Sequence, residues 1–390
     1  MRSGLRGQGV QSLPPFSKRG KQTVYPSDIR PLTSLRICAA LWVLVYHFRN
    51  HLDLGLGHTG LVAKGYLGVD LFFILSGFIL SHVYTRAVEH RRFNYRSFLW
   101  ARLARVYPVH LVTLGATILI WLAALRLGAR FDPVAFDPRV IPQHLLLIHA
   151  WGTTPTVQWN FPSWSISAEW FAYLFFPLAA AVSIRLRRRP LVLVGLSFVV
   201  FGALFLATQA RGLLLTDMTA QGGLARIVPA FLMGAALHRL GLSTHIARRW
   251  AMTGALAATG WIVAVASLRL SDLVIWPALA ALIFFLAEAA KGSVQGVMSA
   301  RPLVYLGEVS YAVYMTHLPI DIAYFHLLDR LTPGLTGGRA WLAWIGVFGV
   351  CLVVSMAVYH LVERPARDWL RARDPFARRP VGEADAEPVI

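Results

Sequence analysis

The sequence predicts an all-α polytopic membrane protein with about ten transmembrane helices, and three observations support this fold class. Of the 390 residues, 56% are hydrophobic, and the mean hydropathy is +0.54. Charged residues account for only 15% of the chain, whereas a typical soluble domain has about 25%. The apolar residues also cluster into runs close to the ~20 residues that a helix needs to span a bilayer.

Ten such runs follow one another along the chain. Residues 1–30 are polar and basic, so the first run would be an uncleaved signal anchor. A short apolar piece at 140–151 is too brief to span the bilayer, and we interpret it as interfacial or re-entrant. The predicted spans are 32–50, 66–84, 106–125, 164–183, 191–208, 223–240, 250–268, 273–290, 304–327 and 341–361.

The distribution of lysine and arginine predicts the orientation of these spans. With the N-terminus in the cytoplasm, the cytoplasmic segments hold a roughly threefold excess of basic residues over the opposite loops. An even number of spans then returns the C-terminus to the cytoplasm. The predicted organisation is a basic cytoplasmic tail at 1–30, a membrane domain at 31–370 and a disordered cytoplasmic tail at 371–390. The net charge of +19 therefore indicates orientation and attraction to anionic membrane lipid, and not binding to nucleic acid.

The first span carries an arginine near its start and a histidine near its end. Arg36 and His47 lie about three helical turns, or roughly 16 Å, apart on one face of the helix. Ionisable groups are costly in lipid and are usually functional there. His47 is a candidate general base, because an imidazole accepts and returns a proton near neutral pH; the alternative is a packed histidine. A metal pair with His51 is disfavoured because no third ligand stands nearby, so we predict no metal.

A pair of arginines precedes the third span. Arg102 and Arg105 are three residues apart at the expected start of a helix, so they share a face. Guanidiniums at a helix N-terminus form a strong anion site, because the free backbone N–H groups and the dipole add to the fixed charge. A phosphorylated cytoplasmic ligand is the natural candidate. The alternative is positive-inside anchoring alone.

The second and fourth spans each contain a carboxylate. Asp70 enters an apolar helix and therefore needs a partner or water, and Ser76-Gly77 in the same span predicts close helix packing. Glu169 could orient His47 or bind an acceptor hydroxyl, and Trp164 could stack on a sugar ring. The alternatives are an interfacial aromatic belt and a structural partner for an arginine.

The ninth span presents a tyrosine and a histidine on one face. Tyr314 and His317 are three residues apart, and Tyr311 lies one turn earlier. These side chains are candidates for substrate contact. The alternative is hydrogen bonding between helices.

Taken in order, these pieces resemble acyltransferase family 3 of bacterial membrane O-acyltransferases, over about residues 30–370. Each motif alone is weak, but six of them in sequence across ten spans are specific. They are Arg36-x10-His47, Gly68-Val-Asp-Leu-Phe-Phe-x-Leu-Ser-Gly-Phe78, Arg102-x-x-Arg105, Trp164-Ser-x-x-x-Glu169, Ser310-Tyr-x-x-Tyr-x-x-His317 and Glu363-Arg-Pro365.

The resemblance implies an enzyme of the bacterial inner membrane. It implies acetyl-CoA or another acyl-CoA as the cytoplasmic donor and, usually, a carbohydrate or glycoconjugate hydroxyl as the acceptor on the far side. It also implies that His47 is the catalytic base, that Arg36 is essential, and that Arg102 and Arg105 bind the donor.

Other functions remain open at the level of the sequence. A transporter or flippase could use Arg36, His47, Asp70 and Glu169 as a proton relay, although we find no internal repeat of the kind typical of transporters. An acyl-enzyme on Cys38 is a less favoured route for acyl transfer. The identity of the acceptor, the acyl chain length and the oligomeric state are not determined by these motifs.

Overall fold

The computed structural model describes residues 25–128, 132–291 and 296–377, and it folds them into helices without any strand. The predicted terminal segments 1–30 and 371–390 lie outside the described residues, except for 25–30 and 371–377. The helices are α1 (Arg30–Phe48), α2 (Gly60–Ala63), α3 (Leu67–Glu89), α4 (Tyr95–Arg126), α5 (Ile141–Leu145), α6 (Trp164–Leu174), α7 (Phe176–Arg185), α8 (Pro190–Gln209), α9 (Gly223–Gly241), α10 (Arg248–Ser267), α11 (Asp272–Ala290), α12 (Arg301–Leu331), α13 (Gly337–Val358) and α14 (Arg364–Ala372).

In the described parts of the chain, a long helix occupies every predicted span position except the fourth, which contains the pair α6–α7. Seven helical units are long and apolar enough to cross a bilayer alone, namely α1, α3, α4, α8, α10, α11 and the continuous unit from α13 to α14. The pair α6–α7 passes the same test together, with a bend of 56° between its halves. The prediction of an all-α, multi-pass membrane protein is therefore confirmed, while the number of ten spans stays a prediction.

The two remaining long helices, α9 and α12, are more polar and lie in the interior. Arg226 of α9 is only 2% exposed, and His317 of α12 is completely buried. Helix α9 packs against α3 and α8, and α12 packs against α1 and α13. Arg226 and His317 therefore face protein, which is where ionisable groups are tolerated in a membrane.

Helices α3 and α9 cross at two glycines. A Cβ atom on Gly77 would lie 2.0 Å from the carbonyl oxygen of Phe231, and one on Gly234 would lie 2.0 Å from that of Ile74. No side chain fits at such distances, so the two backbones approach as closely as small residues permit. This contact agrees with the packing function predicted for Gly77.

Helix α4 begins well before its apolar run. Its first residue is Tyr95, and the side chain of Asn94 caps it by accepting a hydrogen bond from the backbone N–H of Ser97 at 3.2 Å. Arg102 and Arg105 therefore lie about two turns or more inside the helix, where the backbone N–H groups are already bonded. The predicted contribution of a helix N-terminus to their anion site is wrong, and only their side chains are available.

The fourth span is broken between α6 and α7. Pro177 is the second residue of α7, and its ring cannot approach the carbonyl group of Tyr173 as a continuous helix would require. The break produces the 56° bend and leaves α6 as a short helix that packs against α9 and α4 and contacts α3 and α12 through side chains.

The loop between α4 and α6 folds against the helix bundle. In its described part, 132–163, the chain forms the short helix α5 and ends in a 3₁₀ turn whose Phe161 ring lies 5.5 Å from the ring of His47. His144 and His149 of this loop are buried, with nearly parallel rings 3.9 Å apart. The loop thus covers one side of the histidine in the first span.

Candidate active site

An internal cavity of about 150 Å³ lies where α1, α3, α4, α6 and α12 meet. Its walls combine apolar side chains of α3 with a set of polar side chains from all five helices. The polar lining residues are Arg36, Ser76, Arg102, Arg105, Ser165, Glu169, Tyr173, Tyr311 and Tyr314. Five predicted site residues (the three arginines, Glu169 and Tyr314) are therefore brought together from four separate helices.

Three guanidinium groups make this cavity positively charged. Arg105 forms an ion pair with Glu363, which is 1% exposed. Arg102 makes one long hydrogen bond, 3.4 Å from Nη2 to the hydroxyl of Tyr84, and its Nε atom has no partner among the described residues. Its guanidinium also lies 5.7 Å and 6.0 Å from the ring centroids of Tyr84 and Tyr173. Arg36 forms no hydrogen bond or ion pair with any other described residue. Two of the three arginines therefore keep donors available for an anionic ligand.

Glu169 is the one carboxylate among the described residues that line the cavity. It accepts a hydrogen bond from the hydroxyl of Ser76, with 2.5 Å between Oγ and Oε1. The sequence predicted that Glu169 could orient His47, but within the described chain no hydrogen bond joins the two side chains. Glu169 thus lines the cavity together with the arginines, whereas His47 does not.

The hydrogen-bond partner of His47 is His317 of α12. Nδ1 of His47 lies 2.9 Å from Nε2 of His317, and the ring planes are 16° apart with centroids separated by 4.8 Å. Nδ1 of His317 lies 2.5 Å from the backbone carbonyl oxygen of Tyr314. The structure therefore joins the predicted base of the first span to the predicted polar face of the ninth.

Tyr314 connects the cavity to this histidine pair. It lines the cavity, and its hydroxyl donates to the carbonyl oxygen of Pro162 at 3.0 Å and lies 2.8 Å from Oγ of Ser165. The centroid of its ring is 5.8 Å from that of His317. His47 itself is not among the described lining residues, so one aromatic residue separates the cavity from the pair.

A second chamber of about 440 Å³ lies beyond the histidine pair. His51, which follows His47 by one turn, lies 2.7 Å (Nε2 to Oδ1) from Asp321, which follows His317 by one turn. The ring of His51 also stacks on Phe325, with centroids 4.1 Å apart. These three residues line the second chamber, so the histidine pair lies between two cavities.

Two other predicted substrate residues are located elsewhere. Asp70 forms a fully buried ion pair with Arg226, with 2.6 Å between Oδ2 and Nη2 and 3.2 Å between Oδ1 and Nε. The guanidinium of Arg226 also lies 5.2 Å from the ring of Trp164. Neither Asp70 nor Trp164 is among the described residues that line the first cavity. The partner expected for Asp70 is thus found, and the substrate contact of both residues stays a prediction.

Sequence reasoning missed two features of the site. Ser76 was assigned to packing, but it binds Glu169 inside the cavity. Glu363 was noted only as part of the Glu363-Arg-Pro365 motif, but it pairs with Arg105. The available signal was its charge, since a carboxylate that closes an apolar run needs a cation nearby.

Comparison with known proteins agrees with this arrangement. A family model described as an acyltransferase domain, that of acyltransferase family 3, matches residues 31–360. Acyltransferase MdmB of Streptomyces mycarofaciens is 30% identical over 393 residues, which cover 92% of this chain and 97% of that protein. Protein 2 in the picA locus of Rhizobium radiobacter is 34% identical over 97 residues, which cover 25% of this chain and 48% of that protein. No solved structure gives a significant match. The chain therefore belongs to acyltransferase family 3 and is a multi-pass membrane acyltransferase.

Proposed function

We propose that this protein is an O-acyltransferase of the bacterial inner membrane. It transfers an acyl group, such as acetyl, from cytoplasmic acyl-CoA to a hydroxyl of a carbohydrate or glycoconjugate on the opposite side. One observation carries the proposal: the arginine-lined cavity ends one aromatic residue away from the His47–His317 pair, and a second chamber begins on the other side of that pair.

The donor binds at the arginine end of the cavity. A volume of about 150 Å³ is below the ~300–1,000 Å³ of typical ligand pockets, so the cavity suits the narrow pantetheine arm and not the nucleotide. The nucleotide phosphates remain at the mouth, next to Arg102 and Arg105. Helix α14 packs against α4 there and adds two arginines. Arg367 is close enough to Arg105, and Arg371 to Arg102, for their positive charges to interact. This cluster of guanidiniums suits phosphate groups.

The chemical step is a direct attack on the thioester. His47 removes the proton from the acceptor hydroxyl as its oxygen bonds to the thioester carbonyl carbon, and the carbon–sulfur bond then breaks. The proton passes from His47 to the leaving thiolate, which gives an ester and free CoA. Arg36 supplies fixed positive charge toward the oxyanion or the departing thiolate in a site of low dielectric. The apolar walls of α3 limit water, which favours transfer over hydrolysis.

The acceptor approaches from the second chamber. Its volume of about 440 Å³ falls within the range of sugar-sized ligands. Asp53, Asp321 and Asp329 line it and provide hydrogen-bond acceptors for sugar hydroxyls, and Phe325 provides an apolar face. On the predicted topology this chamber faces away from the cytoplasm.

The test is transfer by purified protein in lipid nanodiscs. Radiolabelled acetyl-CoA and longer acyl-CoAs are incubated with candidate glycans, and ester formation is measured. We expect His47→Ala to lower transfer by about 10²–10⁴-fold, the usual contribution of a general base, while donor-induced thermal stabilisation persists. The matched control is Cys38→Ala on the same helix, which should retain activity. Full activity in folded His47→Ala, or no transfer from any acyl-CoA, would overturn the proposal.

A further inference from the structure

A chain of two hydrogen bonds links α12 to α1 beside the proposed reaction site. It begins at the backbone carbonyl oxygen of Tyr314, passes through both ring nitrogens of His317 and reaches Nδ1 of His47. The two contacts are 2.5 Å and 2.9 Å long. The N···N distance of 2.9 Å is a hydrogen-bond distance, so the two rings meet through their nitrogens and not only through their faces.

The carbonyl group fixes the direction of this chain. A carbonyl oxygen can only accept, so Nδ1 of His317 must carry a hydrogen. In a neutral imidazole the other nitrogen is then an acceptor, so Nε2 of His317 receives a hydrogen bond. The donor is Nδ1–H of His47. A neutral His47 therefore has its lone pair on Nε2, the nitrogen that a general base would use.

The surroundings of His317 favour this neutral, fixed state. The residue is completely buried, and Asp321, one turn further along α12, is engaged by His51 at 2.7 Å. Turning the ring over would place carbon atoms opposite both partners and would lose both hydrogen bonds. The rings of Phe48 and Tyr314 pack on it, with centroids 6.2 Å and 5.8 Å away.

We propose that His317 is a positioning residue that holds His47 in the tautomer with a free Nε2. The proposal rests on the proposed function, in which Nε2 gains a proton as the acceptor O–H bond breaks and gives it to the thiolate of CoA. During that interval His317 keeps its hydrogen bond to Nδ1–H of the charged His47. Because the chain ends at a carbonyl oxygen, His317 does not carry the proton onward.

Two substitutions of similar size separate this function from simple packing. The amide of His317→Gln can reach the position of Nε2 and accept from His47, whereas His317→Asn reaches only the position of Nδ1, next to Tyr314. We expect His317→Gln to stay within tenfold of the wild-type kcat and His317→Asn to lose at least 100-fold. The KM for acyl-CoA should not change in either. A wrong histidine tautomer costs about 10⁴ in kcat in serine proteases.

A double variant tests whether His317 acts through His47. In the His47→Ala background, His317→Asn should change the residual rate by less than twofold, because the residue that it positions is gone. Equal losses in the Gln and Asn variants, full activity of His317→Asn, or additive losses in the double variant would each contradict the proposal. Absence of transfer in the wild type would instead refute the proposed function.

A measurement on the wild-type protein covers the case in which the His317 variants do not fold. Ring ¹⁵N spectra of histidine-labelled protein in lipid distinguish protonated from unprotonated nitrogens, and the spectrum of His47→Ala identifies the lost signals. We expect His47 to be protonated at Nδ1 and unprotonated at Nε2. The opposite tautomer would disprove the inference.

Discussion

Removal of the Arg102 side chain should weaken donor binding without unfolding the protein. Arg102 lines the cavity, its best contact is the 3.4 Å approach to Tyr84, and its Nε atom is unpaired among the described residues. Among the described residues, a truncation would therefore remove one long hydrogen bond and two cation–π contacts, but no ion pair. Arg105 is a poorer test, because its loss would leave Glu363 buried without its cation.

The magnitude follows from the chemistry of the contact. A hydrogen bond to a charged group contributes about 1.5–3 kcal/mol, which corresponds to roughly 10–150-fold in affinity. We therefore expect Arg102→Ala to raise the Kd for CoA by that factor. Arg102→Lys should recover part of the lost affinity, because lysine keeps the positive charge but lacks the planar guanidinium that binds phosphate through two donors.

The assay is calorimetric titration of the protein in nanodiscs with CoA, dephospho-CoA and pantetheine. Pantetheine has no phosphate, so its affinity should be the same in the wild type and in Arg102→Ala. The matched control is Arg92→Ala, which removes the same charge from an exposed position in the turn between α3 and α4. It should leave the affinity for CoA nearly unchanged.

The comparison also tests the simpler explanation of these arginines. If Arg102 served only to orient the third span, Arg102→Ala and Arg92→Ala would have the same small effect on CoA affinity. Equal affinities in these two variants, or equal losses for CoA and pantetheine, would refute the assignment of Arg102 to the donor phosphates.

Three further predictions concern stability. Arg226→Met should lower the free energy of unfolding by about 3–5 kcal/mol, because it leaves the buried carboxylate of Asp70 without its cation. Adding Asp70→Leu to the same variant should recover much of the loss. A raised KM for the acceptor in a stable Asp70→Asn variant would instead indicate substrate contact. Gly77→Ala should lower the yield of folded protein, because its Cβ would lie 2.0 Å from the carbonyl oxygen of Phe231. The control Gly115→Ala, whose Cβ meets nothing within 4 Å, should leave the yield unchanged. Equal yields would contradict the α3–α9 crossing. Burial lowers the pKa of His144 to about 3, so the unfolded chain binds more protons than the folded one between about pH 3 and 6.5. Stability should therefore decrease as the pH is lowered through this window, by up to about 1.4 kcal/mol per pH unit, and the decrease in thermal midpoint should be smaller in His144→Phe.

The helical framework follows from the sequence because apolar length is a local property. Each predicted span contains a helix or a helix pair, with boundaries that agree to within a few residues in most cases. Helix α4 is the clearest exception, since it begins at Tyr95 and the predicted span begins at 106. Hydropathy detects only the part of a helix that suits lipid, so the sequence placed Arg102 at the start of the helix and not two turns inside it.

The partners of the buried polar groups do not follow from the sequence. His47 and His317 are 270 residues apart, and Asp70 and Arg226 are 156 residues apart. Helical periodicity predicts which face of a helix a residue occupies, but not which helix that face meets. The sequence therefore identified His47 and His317 as separate candidates, and only the packing of α12 against α1 joins them.

The same hydrogen-bond chain bears on the alternative of a transporter with a proton relay. A relay needs groups that accept and donate in succession across the membrane. In the described residues, Asp70 is held by Arg226, and no hydrogen bond links Glu169 to His47. From His47 the chain ends at the carbonyl oxygen of Tyr314, which accepts a hydrogen bond but has no proton to pass on. In the proposed mechanism, a proton taken by His47 returns to the reactants, which acyl transfer requires and directional transport does not.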